Sequence, residues 1–166
     1  MQKITALLIV FLLVLSAPAQ AAINAEGAAA LKKQVEDSLQ WRLDMTKMSG
    51  QGLMMKGDVT VTPKAKFYEV KLPNLSVLFE QDKGTLEIGT LVINAVPGQP
   101  GEWLTTTQAP STMTFYDKAH TPTAHVKLGS QYFAGVWWPE KEMYSKIDSL
   151  YQNIEIKGVA ADDFTV

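Results

Sequence analysis

From residue 53 onward the chain alternates apolar and polar residues with a period of two, and glycine and proline interrupt that period at intervals. Only a pleated strand puts alternate side chains on one face, so the pattern commits most of the chain to β-sheet. Val59 and Val61 with their Thr neighbours are β-branched and suit a strand. Tyr68, Val70 and Leu72 alternate with Phe67, Glu69 and Lys71, and Leu75, Val77 and Phe79 with Asn74, Ser76 and Glu80. Pro73 separates these two runs and marks a strand end, an edge or a bulge. Asp82-Lys83-Gly84 reads as a turn, and Leu86 and Ile88 open the next strand. Before Gly89 the even positions are apolar; after it, Leu91, Ile93 and Ala95 take over. A one-residue change of face requires a bulge, and glycine is the natural residue for it. Pro97-Gly98-Gln99-Pro100-Gly101 is a loop.

The interruptions recur. Ile88-Gly89-Thr90-Leu91 parallels Leu128-Gly129-Ser130-Gln131, each leading through a β run to Pro97 or Pro139. Leu72-Pro73-Asn74-Leu75 parallels Ala109-Pro110-Ser111-Thr112, each passing through a short strand to Asp82-Lys83 or Asp117-Lys118. The unit opens on an aromatic residue: Phe67 or Tyr68, then Trp103, with Tyr144 in that place in a third copy. Spacing of roughly forty residues is the range in which repeats mean stacked supersecondary units. The segment 140–152 admits two readings. Met143, Ile147, Leu150, Tyr151 and Ile154 are spaced like a helix face and Pro139 suits a helix start, but the repeat favours strands. Beyond Gly158 no terminating helix or polar tail is visible, so the third copy reads as unfinished and the chain as a fragment or shortened relative of a longer repeat protein.

Two segments precede the β region. Lys3, the apolar run Ile4–Leu15 and the small-residue stretch ending Ala19-Gln20-Ala21 read as a signal peptide over residues 1–21, cut before Ala22. The run is too short to span a bilayer comfortably. Removing 21 of 166 residues leaves 145, enough for a single domain with its own core. Export without any cysteine points to a bacterial periplasm rather than a eukaryotic secretory route. Next, Ala28–Ala30, Leu31, Val35 and Leu39 form a helical stripe with Asn24 as N-cap, and the helix is expected to end near Gln40 or Arg42, before Gly50 and Gly52.

Composition removes several functions. Lys plus Arg number 15 against 17 Asp plus Glu, with no basic stripe, so nucleic acid is not an expected partner. The 46 % hydrophobic content argues against disorder. There is no G-x-S-x-G elbow, phosphate loop or dinucleotide fingerprint. His120 and His125 flank a turn at Thr121-Pro122-Thr123 near Asp117, but their spacing fits no zinc pattern, and exposed loop histidines are the reading adopted. Asp58, Glu69, Glu80, Asp82 and Glu87 fall at solvent-side or turn positions. No catalytic residue, metal or cofactor is therefore assigned. Tyr132, Phe133, Trp137 and Trp138 form an aromatic cluster before Pro139. Adjacent Trp residues point to opposite faces of a strand, so one of them can be exposed. Tyr132, Trp137, Trp138 and Trp103 are the candidate ligand- or partner-binding residues. Met45, Met48, Met54, Met55, Met113 and Met143 are expected to belong mainly to the core.

These features lead to a mainly β fold: a curved antiparallel meander sheet, or open half-barrel, of degenerate repeats with one N-terminal α-helix. Through the signal peptide, the helix and repeats such as Leu72-Pro73-Asn74-Leu75 and Ile88-Gly89-Thr90, the pattern resembles the half-barrels of periplasmic lipoprotein and lipid carriers. It also resembles the elongated β-repeat envelope proteins of the AsmA-like kind. The resemblance implies a non-enzymatic cell-envelope protein that binds a lipid or lipidated partner on its sheet. A structural module pairing through an edge strand is the alternative, and a hydrolase of envelope polymers the third reading.

Overall fold

The structure is a computed structural model that describes residues 23–48, 52–79 and 84–159. The expected signal peptide and its cleavage site, Gly50, the acids Glu80 and Asp82 with most of their turn, and the residues after Val159 lie outside those described. One helix, α1 (Ala25–Met48), precedes eight strands: β1 (Gly52–Lys56), β2 (Thr60–Pro63), β3 (Tyr68–Leu78), β4 (Thr85–Pro97), β5 (Trp103–Gln108), β6 (Thr112–Tyr116), β7 (Pro122–Trp138) and β8 (Met143–Gly158). A 3₁₀ turn, Pro139–Lys141, joins the last two. The fold is mainly β with one leading helix, as the alternation requires.

All eight strands form one antiparallel sheet. Two of its positions are each filled by a pair of short strands end to end. β1 and β2 share the same edge of β3, and β5 and β6 lie together between β4 and β7. The sheet thus has six rungs in chain order, β1/β2, β3, β4, β5/β6, β7 and β8, which is a meander. No pairing joins the first rung to the last, so the sheet is open. The segment 143–158 is a strand throughout, and only Pro139 starts a helical turn.

An irregularity crosses every rung at the same level. β1 and β2 are separated at Gly57–Val59, and β3 slips register between Lys71 and Asn74, around Pro73. On β4 the partner of Leu75 is Gly89 while that of Ser76 is Glu87, which leaves one extra residue. β5 and β6 are separated at Ala109–Ser111, which includes Pro110. On β7 and β8 the level falls at Gly129 and Asn153, the latter at φ 55°. The phase changes across this crease. The cavity-lining residues Val70 and Leu72 are followed by Leu75, Leu91 succeeds Leu86, Gln131 succeeds Leu128, and Ile154 follows Tyr151. Between β7 and β8 the ladder keeps its register, Leu128 opposite Ile154 and Gln131 opposite Tyr151, because both strands carry one extra residue. A one-residue slip in one strand alone would turn its apolar set to the other face. Here all the strands change phase together, so the apolar set stays on one side.

The crease is closely packed. Gly89 has φ 91°, and a Cβ there would lie 3.0 Å from Pro110 Cγ. At Gly129 a Cβ would come within 2.8 Å of Asn153 Cβ. The β5–β6 gap is closed by a side chain: Gln131 accepts from the Ala109 amide at 2.9 Å and donates to the Ala109 carbonyl at 2.7 Å. The Leu128 amide reaches Ser111 O at 2.8 Å.

α1 starts at Asn24, whose Oδ1 accepts from the Gly27 amide at 2.8 Å, an N-cap bond. Ala28, Leu31, Val35 and Leu39 are buried, and the opposite face carries Lys32–Glu36 and Lys33–Asp37 pairs at 3.6 and 2.6 Å. The helix continues to Met48, beyond the end expected at Gln40 or Arg42. Trp41 and Met45 in that extension are exposed, so the apolar stripe stops while the helix does not. With no glycine or proline between Gln40 and Gly50, local bonds hold the last turns: Gln40 to Asp44 at 3.1 Å and Thr46 Oγ1 to Leu43 O at 3.0 Å.

Two alanine substitutions separate backbone strain from packing at the crease. Gly101 also has a positive φ, 83°, but open space around it. We expect Gly101→Ala to lower stability by about 1 kcal/mol through the backbone alone. Gly89→Ala adds the encounter with Pro110 and should lower it by about 2–3 kcal/mol. Urea unfolding followed by tryptophan fluorescence measures both; equal losses would mean that the crease is not packed as described.

Candidate functional site

The crease leaves the sheet with one strongly apolar concave face. Above the crease, toward α1, that face carries Val70 and Leu72 of β3, Leu91, Ile93 and Ala95 of β4, Thr105 and Thr107 of β5, and Phe133 and Trp137 of β7. Below it, register transmits the face from rung to rung. Leu53 is opposite Val77, Val77 opposite Leu86, Leu86 opposite Phe115, and Phe115 opposite Ala124. Met113 is opposite Val126, and Val126 opposite Ile156. Paired residues of an antiparallel sheet share a face, and Leu53 lines the cavity. The lower half is therefore an apolar trough continuous with the upper half.

α1 roofs the upper half and also packs on β1 below the crease. It is held along one end of the sheet by three polar contacts. Tyr68 Oη accepts from the Asn24 amide at 3.1 Å, Trp103 Nε1 donates to Gln34 Oε1 at 2.9 Å, and Ser38 Oγ donates to Glu142 Oε2 at 2.5 Å. Gly27 permits the first contact, since a Cβ there would collide with Tyr68 Oη. The helix packs chiefly on β1, β2 and the 3₁₀ turn. Beneath it lies a cavity of about 410 Å³, roofed by Leu31, Val35 and Leu39 and open at one side. That volume lies within the ~300–1,000 Å³ common for small-molecule sites.

Three polar side chains of the cavity wall are already bonded. Thr105 Oγ1 donates to Gly135 O at 3.2 Å, Ser38 is held by Glu142, and Gln131 by Ala109. What they leave for a ligand is apolar surface. Arg42 lines the mouth, with no ion pair to any described residue.

The four aromatic residues singled out from the sequence do not form one site. Trp137 is buried and lines the cavity. Trp103 pairs with it across the β5–β7 ladder and meets Tyr68 edge to face at 5.8 Å, supporting the roof. Tyr132 and Trp138 are out of phase with these and lie on the convex side. Tyr132 is exposed in a shallow hollow with Leu104 and Val136. Trp138 lies under Lys141 Nζ, 3.4 Å from its ring centre, and its buried Nε1 has no described partner. Phe133, Tyr144 and Tyr151 also line the cavity. Phe133 shares the odd-numbered phase of Trp137, and that phase is the signal in the sequence that places it in the wall.

The other candidates are accounted for locally. His120 stacks on Tyr116 at 4.4 Å, and His125 Nδ1 lies 3.1 Å from Thr114 Oγ1. Asp117 Oδ1 accepts from the Ala119 and Thr121 amides at 2.8 Å each and so organises the β6–β7 turn. Among the described residues no group of three His, Asp or Glu could hold a metal. Glu155, on the exposed strand β8, has its carboxyl held below the usual range by Lys157 at 3.0 Å. Three methionines depart from the expected core role, Met45, Met54 and Met143 being exposed, whereas Met55 packs half-buried against the core and Met113 is half-buried.

Comparison of the chain with protein-family models, curated proteins and solved structures finds no match. No helix among the described residues is long and apolar enough to cross a membrane.

Gln131→Leu tests the wall. It makes the cavity more apolar yet leaves the Ala109 amide and carbonyl without their partner, at about 1–3 kcal/mol. We expect lower stability in urea and faster hydrogen exchange at the Ala109 amide. Unchanged exchange there would mean that the Gln131 bonds do not close the gap.

Proposed function

We propose that this chain is a non-enzymatic protein of the bacterial cell envelope that holds the acyl part of a lipid, or of a lipidated partner, on the concave face of its sheet. The observation that carries this reading is the continuous apolar trough, roofed by α1 above the crease. Water against such a surface is unfavourable by ~25 cal/mol per Å² of apolar area. Contiguous exposed apolar surface of this kind marks a binding site more often than chance. A long flexible tail suits it best, because the trough extends across all six rungs while Ser38, Thr105 and Gln131 in the wall are already engaged. The periplasmic location rests on the leader sequence.

Adjacent residues of β1 provide the test. Leu53 lines the cavity, whereas Met54 points to the other face and is exposed. cis-Parinaric acid, a fluorescent fatty acid, serves as probe. We expect saturable binding, weakened about tenfold or more by Leu53→Asp, since a carboxylate buried against an acyl chain loses its hydration. Met54→Asp should leave it unchanged. Absence of binding, together with native mass spectra free of any acyl adduct, would sink the proposal.

A further inference from the structure

The two edges of the sheet differ. The first rung is short and broken at Gly57–Val59, closes on Pro63, and is covered by α1. Breaks, proline and a covering helix are the devices by which proteins blunt a sheet edge. The last rung has none of them along its outer side. From Lys146 to Gly158 β8 contains no proline and pairs with β7 alone among the described strands. Its apolar residues are exposed on both faces: Ile147 (56 %), Ile154 (56 %) and Ile156 (69 %) on the concave side, Leu150 (52 %) on the convex side. A long edge of this kind, unpaired by any described strand on its outer side, is a template for another strand.

We propose that two copies of this chain join edge to edge through β8, antiparallel and two-fold symmetric, with Tyr151 of one copy opposite Ile154 of the second. Three observations select this occupant and register. First, the phase change at Gln152–Asn153 leaves the concave residues odd-numbered before it and even-numbered after it, so antiparallel self-pairing matches faces only where the two creases coincide. With Tyr151 opposite Ile154 the creases coincide. Ser149 then meets Ile156 on the concave side, and Leu150 meets the aliphatic part of Glu155 on the convex side. Second, the charges agree. Asp148 of each copy faces Lys157 of the other, giving two opposite-charge pairs related by symmetry; Asp148 makes no ion pair with any described residue, and Lys157, beside Glu155 at 3.0 Å, lies 62 % exposed and open to a second carboxylate. Third, of the two slips by two residues, the one that lengthens the pairing is repulsive. Slipping so that Lys146 faces Lys157 sets Asp148 against Glu155, four like-charge contacts over the two-fold axis. Like charges directly opposite destabilise a sheet, whereas opposite charges stabilise it. Joined in this way, the two troughs form one apolar surface spanning both sheets.

Sedimentation equilibrium of the full chain after export tests this. We expect a reversible dimer. Asp148→Lys, which sets lysine against Lys157 twice, should weaken it about tenfold or more, and Asp148→Lys/Lys157→Asp should restore it. Both sites are exposed, so the fold is retained. The chain has no cysteine, so Asp148→Cys chains mixed with Lys157→Cys chains should crosslink under mild oxidation far more than either alone. A monomer at every concentration, or β8 taken up by a different protein, would overturn the proposal. So would a dimer that the charge exchange neither weakens nor restores. The inference does not depend on acyl binding: delipidated protein and the Leu53→Asp variant should dimerise equally well.

Discussion

A strand with one apolar face can be prolonged only while its phase is kept, and the strands of this sheet are too long and too bent to keep it. β3, β4, β7 and β8 run from 11 to 17 residues, against a usual strand of about five or six. Each contains one residue too many for strict alternation. In isolation each such residue would throw half of the strand's apolar side chains into water. The fold tolerates them because they lie side by side, from the Gly57 gap through Pro73, Gly89, Pro110 and Gly129 to Asn153. Bulges bend and twist the strands that carry them. A bulge at one level in every rung bends the whole sheet about a single line, and the concave side of that bend is where the apolar residues collect.

The hollow follows from how the helix is fixed. An amphipathic helix laid on an apolar sheet would normally settle until side chains interdigitate, because unfilled space forfeits dispersion contacts. Here the helix is tied by hydrogen bonds to Tyr68, Trp103 and Glu142, all at one end of the strands. The small residues Thr105, Thr107, Ala95 and Ala109 form part of the floor beneath it. A roof suspended from the rim over a floor of short side chains leaves a cavity that neither element fills.

Much of this was legible in the sequence because it has a local cause. The Asn24 cap, the stripe from Ala28 to Leu39, the bulge at Gly89 and the recurrence of its pattern at Gly129 depend on residues within a few positions of one another. The helix end was not, because Trp41 and Met45 continue the helix without continuing its buried face. The concave wall was legible only by phase: Phe133 and Trp137 belong together because they are four residues apart, and Tyr132 and Trp138 lie on the other side for the same reason. The aromatic cluster in the sequence therefore divides in space. Gln131 could not have been assigned from the sequence, since its role is to satisfy the backbone of Ala109, 22 residues away, in a gap that exists only once β5 and β6 are in place.

The leading residues of the repeat show why the recurrence is visible although the copies differ so much. Tyr68, Trp103 and Tyr144 open β3, β5 and β8 at the same end of the sheet. The first two meet edge to face, and Tyr144 meets Phe133 in the same manner at 5.7 Å. Tyr68 and Trp103 also hold the helix through their polar atoms. Each repeat thus has an aromatic anchor at the roofed end and a glycine, a proline or, in the third copy, Asn153 at the crease, while the residues between them need only be apolar on one side. Two constrained positions per unit are enough to fix the curvature and the roof. The intervening positions are free to diverge so long as their phase is kept, which explains both the weakness of the repeat as sequence and its regularity as structure.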